Sequence, residues 1–266
     1  MKKLIIIYIL ALSTISIFAQ DTTLSRRDRK EAKRTEKQQR QNTLSRQEEE
    51  GVLSYTKQSA FGLQLRTNGY GAFYELTRRK SPRFSNSYAI EITEIKHQKE
   101  EKLSSLDGFF SNAFIYGKVN NFYQLKFSYG QQYIFGQKGN KNGVAVIGLY
   151  QGGLSLGLLR PYYLQVDDDG DTRTIKYEDD STLFVSGDIR GAGGFGKGWS
   201  EIKVKPGAFI KTAMRFDFGR YNESVQAIEI GLSVEAYAQK IQLMLNNDTK
   251  QLFFQGHLAF VFGRRK

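Results

Sequence analysis

Cysteine is missing from the 266-residue chain, which excludes disulfides, thiolate metal sites, thiol nucleophiles and a lipidated N-terminal anchor together. Two histidines, His97 and His257, are too few for a three-histidine zinc site. Only three prolines occur, so long stretches of backbone remain free to donate into a ladder. Long apolar runs are also scarce. The mean hydropathy of -0.47 rules out a bundle of transmembrane helices but leaves open a membrane barrel, whose lumen and loops are polar.

What the chain does hold is aromatic, glycine-rich and basic: 19 Phe, 15 Tyr, 26 Gly and a formal charge of +12. Its beginning sets the compartment. Lys2 and Lys3 precede an uncharged, nearly all-apolar stretch over residues 4–12, and Ile17-Phe18-Ala19 offers a small residue before Gln20. Residues 1–19 therefore read as a secretory signal peptide, too short for a membrane span. Removing its two lysines lowers the charge from +12 to +10.

Residues 20–59 read as a basic periplasmic tail. Arg26, Arg27, Arg29, Lys30, Lys33, Arg34, Lys37, Arg40 and Arg46 stand against Asp28, Glu31 and Glu36 within residues 25–46, a balance of +6. Export argues against a nucleic-acid partner and leaves acidic lipid headgroups or a periplasmic or outer-membrane protein. With almost no apolar side chains the tail buries no core, so a disordered segment or a solvated helix is expected. Its first eight bases, Arg26 to Arg40, are the docking candidates; a merely soluble tail is the other reading.

Over residues 60–266 the period becomes two. Phe61, Leu63 and Leu65 alternate with Gly62, Gln64 and Arg66, and after Asn68-Gly69 the set Tyr70, Ala72, Tyr74 and Leu76 alternates with Gly71, Phe73, Glu75 and Thr77. Asn-Gly between two such runs signals a hairpin. Tyr88, Ile90 and Ile92, then Tyr123, Leu125, Phe127 and Tyr129, repeat the pattern. So do Ile210 to Phe218, Ile228 to Ala236, and a last run over residues 253–262. Nine runs are visible, an odd number. Either one is a plug or tail, or a tenth strand hides between residues 162 and 204. Residues 144–159 compete as a helix with small-residue spacing, but the stretch is short of a span and would strand its neighbours; a glycine-rich strand is expected. The fold class is all-β, an antiparallel barrel of about eight to ten strands.

Alternation alone does not say which face meets lipid. Runs of about 9–12 residues suit a tilted membrane strand better than a soluble sheet. Tyr70, Tyr74, Tyr88, Tyr123, Tyr129 and Tyr133 lie near run ends, as an interfacial girdle requires. The Ile17-Phe18-Ala19-Gln20 leader end, the basic tail, the Gly/Tyr-rich alternating runs and the final HLAFVFGRRK together resemble small outer-membrane β-barrel proteins of Bacteroidota. That likeness implies an outer-membrane location. The ending Gly-Arg-Arg-Lys departs from the aromatic terminus common in such barrels.

In a membrane barrel the polar faces line the lumen, giving Arg66, Lys126, Lys211 and Arg215 against Glu75, Glu91, Asp217, Glu229 and Glu235. Such a near-balanced set fills an eight-strand interior with paired charges, unlike a channel of one sign. No porin activity is expected.

Catalysis is poorly supplied. The barrel lipid A deacylases carry a His-x-Ser pair on one strand, whereas His257 is followed by Leu258-Ala259 and His97 by Gln98-Lys99. A lumen hydrogen bond is the expected role of His257. Between the runs, residues 159–203 form the longest loop. There Asp167, Asp169, Asp171 and Glu178 match positions of a calcium loop, but Thr172 replaces its glycine and a solvated acidic turn is the expectation. The glycines over residues 187–198 lack a phosphate-loop ending and read as a flexible loop. Asp21-Thr22-Thr23 and Asp180-Ser181-Thr182 resemble the O-glycosylation acceptor of Bacteroidota. The reading is thus a non-enzymatic outer-membrane barrel without a cofactor, in contact with lipid, serving an assembly or secretion machine through its tail and long loop. A barrel enzyme acting on lipid and a soluble periplasmic barrel with an apolar ligand are the alternatives.

Overall fold

The computed structural model describes residues 26–49, 55–104, 113–140, 142–168 and 170–266. The leader and Asp169 lie outside the described residues. In chain order the strands are β1 (Lys57–Arg66), β2 (Gly69–Arg79), β3 (Phe84–Ile95), β4 (Lys102–Leu103), β5 (Phe114–Ile115), β6 (Asn120–Gly136) and β7 (Ala145–Pro161). They continue with β8 (Tyr163–Asp168), β9 (Asp171–Lys176), β10 (Asp188–Ala192), β11 (Lys203–Asp217), β12 (Ser224–Ile241) and β13 (Lys250–Arg265). Period-two alternation drives eight of them into a closed antiparallel barrel, β1-β2-β3-β6-β7-β11-β12-β13, with β13 paired back onto β1. Closure leaves no barrel edge to template aggregation.

The even number corrects the odd count of runs. Among the described residues no further barrel strand lies between β7 and β11. The short strands there form a separate sheet, β10-β8-β9, and with six residues or fewer each they are too short to cross a bilayer. A short helix, α2 (Ser181–Ser186), covers this sheet. Phe114, Leu164, Val166, Ile175 and Phe184 give it a core of its own. The glycine segment is accordingly not a plain flexible loop, because its first part is β10. Asp180 caps α2 by accepting the Leu183 N–H at 2.9 Å.

Of residues 144–159, all but Val144 lie in β7, and none in a helix. The first hairpin forms one residue earlier than Asn-Gly suggests: Arg66 pairs with Gly69, leaving Thr67 and Asn68 as the turn. Gly69 is needed for a different reason, since a Cβ there would lie 1.9 Å from the Glu94 carbonyl oxygen on β3. Pro206 lies inside β11, one step before its ladder with β12 begins at Gly207. There its missing N–H breaks no bond on that side.

Connections divide by end. The β2–β3, β6–β7 and β11–β12 connections are short and lie at the end where β1 starts and β13 stops. The opposite end carries the longer connections from β3 to β6, β7 to β11 and β12 to β13 besides the tight β1–β2 turn.

Residues 26–49 form a helix, α1 (Arg26–Glu49), which up to Arg46 falls in a unit separate from the barrel. Residues 30–39 are exposed throughout. Over residues 26–49 the segment is thus helical. No helix among the described residues is long and apolar enough to cross a membrane.

Candidate functional site

The strand pleat sends the two residue sets to opposite faces, and the apolar set points outward. Ile210, Leu232 and Phe254 are 70, 66 and 73% exposed, whereas their polar neighbours Arg215, Glu229 and Glu235 are 1% exposed or less. This is the inverse of a soluble barrel. At about 3.4 Å per residue and a tilt of about 40°, the outward row of residues 252–262 rises about 25 Å, the height of a hydrocarbon band.

All nine lumen charges named from the sequence are buried inside the barrel, and eight of them join in one chain of ion pairs. Arg66 on β1 donates to Glu235 on β12 at 2.5 Å. Lys126 on β6 pairs with that same Glu235 and with Glu91 on β3 at 3.0 Å. Lys211 on β11 reaches Glu91 at 3.8 Å and Glu229 at 3.0 Å. Arg215 then bridges Glu229 and Glu75, each at 2.7 Å. In the ring order β11 and β2 stand opposite each other, so the Arg215–Glu75 pair crosses the full width of the lumen. Glu75 also accepts from Gln132 at 2.8 Å and Gln151 at 3.1 Å.

Asp217 stands apart from this chain, at the short-turn end. It pairs with Arg265, and with Lys138 at 3.4 Å. Neither cation was among the residues singled out from sequence. Extending the alternation Gln255, His257, Ala259 to the end of the strand reaches Arg265, which the supposed stop at residue 262 cut off. Arg265 also donates to Gln58 at 2.8 Å, so the basic ending is part of the lumen. Lys138 comes from a turn, where no period points to it.

Apolar clusters flank the charges. Ile95, Phe122, Leu159, Tyr237 and Phe253 pack with Ile115, Leu243 and Met244 from the loops at the long-loop end. Tyr55, Ile134, Ala145 and Ile147 pack at the other end. Paired charges between two apolar layers thus occupy the lumen.

The remaining candidates are separately placed. The His257 ring nitrogen Nε2 lies 3.2 Å from Glu229 Oε1 inside the lumen. His97 lies in a long-loop-end turn, where its Nδ1 accepts the Lys99 N–H at 3.2 Å. Partial burial and the Lys250 ammonium hold its imidazole below the ordinary value. Of the calcium candidates, Asp167 is engaged by Arg190 at 2.6 Å and Glu178 by Lys203 at 2.5 Å, while Asp171 is exposed on the β8–β9 hairpin. Among the docking bases, Lys30, Lys33, Arg34 and Lys37 are exposed on α1; Arg26, Arg27, Arg29 and Arg40 are placed on it by backbone only.

No protein-family model matches the chain, and no characterised protein matches it in sequence. Its fold is similar to outer-membrane eight-strand barrels. Neisserial surface protein A is 10% identical, with 79% of this chain and 96% of that one covered at a TM-score of 0.36. Ail, the attachment invasion locus protein of Yersinia pestis, is 7% identical, covering 80% and 100% at 0.37. The N-terminal β-barrel domain of Pseudomonas aeruginosa OprF is 9% identical, covering 79% and 98% at 0.35. At such identities the likeness is one of barrel architecture only. Nothing in these comparisons ties the chain to Bacteroidota.

Proposed function

We propose that the protein is a non-enzymatic outer-membrane barrel with a closed lumen, serving as a structural or accessory subunit of an assembly or secretion machine. One observation carries the membrane part: an apolar wall facing outward around an ion-paired interior. An apolar ligand inside would need the opposite arrangement, so the soluble-barrel alternative finds no support in these faces. A salt-bridge network from wall to wall, with Arg66 and Lys126 each pairing Glu91 and Glu235, argues against porin activity. His257 bonded to Glu229 serves the same network, which argues against a catalytic pairing.

The accessory role is supported by the distribution of charge. Short turns on the terminal side and long loops on the other match periplasmic and external faces of such barrels, so the basic helix α1 would stand in the periplasm. A helix polar on every side has no apolar face to fold against and suits contact with an acidic surface. The test is fractionation of the full chain, with a heat-modifiable gel shift and conductance in planar bilayers. Recovery in the outer membrane, a shift on boiling and no stable channel are expected. Soluble recovery, or steady conductance, refutes the proposal. Crosslinking in the native membrane before and after deletion of residues 26–49, which spares β1 and Tyr55, tests the partner: the reading requires crosslinked complexes that the deletion abolishes.

A further inference from the structure

Arg160 ends the outward row of β7, after Leu154, Leu156 and Leu158, at the long-loop rim. Across the ladder it pairs with Asn121 of β6, which shares its outward row with Tyr123 and Leu125. The two side chains are only 6 and 7% exposed, yet among the described residues the Arg160 Nε and Asn121 Nδ2 donors find no acceptor. The guanidinium donates once, to the Phe195 carbonyl at 2.8 Å. Three rings cage it, with centroids 5.6 Å (Tyr123), 4.8 Å (Phe195) and 4.7 Å (Trp199) away.

Both residues line a cavity of about 740 Å³ together with Lys96, Lys102, Lys118, Lys197, Glu94 and Glu100. Five cations thus face two acids, and the acids are occupied. Glu100 pairs with Lys118 at 2.8 Å, and Glu94 accepts the Tyr70 hydroxyl. A buried donor without an acceptor forfeits its hydration with nothing in return. Two such donors side by side in a basic cavity fit a ligand that brings acceptor oxygens and negative charge.

We infer that this cavity binds the anionic headgroup, phosphate or carboxylate, of a lipid in the leaflet at the long-loop end. The position selects the lipid source. The site crowns an apolar outward row, so acyl chains beside Leu154 to Leu158 would present their headgroup to Arg160, with aromatic rings at interfacial depth. The inference rests on the outer wall facing lipid.

The test uses the full chain in phosphatidylcholine nanodiscs containing a minor fraction of phosphatidic acid. Lipids retained by the protein are read by native mass spectrometry. The wild type should retain phosphatidic acid in preference to phosphatidylcholine. R160Q should weaken that preference about tenfold, the loss of one charge-assisted contact. The exposed K197Q should weaken it less, without any question of folding. R160K should restore only part, because an ammonium lacks the planar fork. Soluble glycerol phosphate should compete poorly; equal competition would overturn the lipid source and leave a site for water-soluble phosphates. Equal preference in wild type, R160Q and K197Q overturns the site. A heat-modifiable, inserted barrel without anionic preference refutes the site alone, whereas failure to insert refutes the membrane reading beneath it.

Discussion

Replacing Arg215 with Met removes the cation that spans the lumen. Its guanidinium holds Glu75 and Glu229 at 2.7 Å each, and all three residues are 1% exposed or less. The two acids are affected unequally. Glu229 keeps Lys211 at 3.0 Å and His257 at 3.2 Å. Glu75 keeps only the neutral donors Gln132, Gln151 and Thr77, so it becomes a buried charge without a counterion. Removing one partner of a buried pair costs about 3–5 kcal/mol, and the dry clusters on either side put R215M within that range. E75Q leaves Arg215 paired to Glu229 and should cost about 1–2 kcal/mol. The double variant R215M/E75Q should recover at least about 2 kcal/mol of the R215M loss, because the orphaned charge is gone. Stability is read by urea titration of barrels folded into vesicles, followed by gel mobility and by fluorescence. The chain's single tryptophan, Trp199, stacks on Tyr123 at the rim, so its emission reports the barrel's outer end. A loss below about 1 kcal/mol for R215M would mean the pair behaves as a solvated one. That result, or a double variant no better than R215M, refutes the sealed network.

Other substitutions probe other layers. Leu232→Arg, on the outward row of β12, should cost about 2–4 kcal/mol in vesicles; unchanged urea midpoints would count against lipid contact. Gly153→Ala places a Cβ 1.9 Å from the Phe127 carbonyl oxygen, so the β6–β7 ladder must shift at a cost of about 1–3 kcal/mol, measurable by the same titration. Deleting residues 26–49 should leave the urea midpoint of the barrel within about 0.5 kcal/mol of the full chain, since this polar helix has no apolar face to bury; a larger change would give α1 a structural role.

The faces of the barrel were legible in sequence because a period of two leaves one strand only two orientations. Knowing that Glu229 and Glu235 share a face was enough to place both on one wall. What alternation did not reveal was which face turned inward, and the structure supplies this through burial. Connections were harder. The β8–β10 sheet has strands too short to show a period, and its core draws Phe114 from a distant loop. Lys138 reaches Asp217 out of a turn, while Arg265 sits past the apparent end of the last run. Asn121 and Arg160 were hidden for a related reason: each lies one step beyond an apolar row, in a position that marks a strand's end as readily as a site.

The lipid-facing wall is tested most directly in the cysteine-free chain by single cysteines along the outward row of β12. Ile228, Ile230, Leu232, Val234 and Ala236 are replaced in turn, labelled with an environment-sensitive fluorophore and folded into vesicles whose lipids carry quenchers at graded acyl depths. The account predicts that Leu232 is quenched most by the deepest label and the two ends of the row by the shallowest. Uniform quenching by an aqueous quencher along the whole row, with none from the acyl chains, would contradict it.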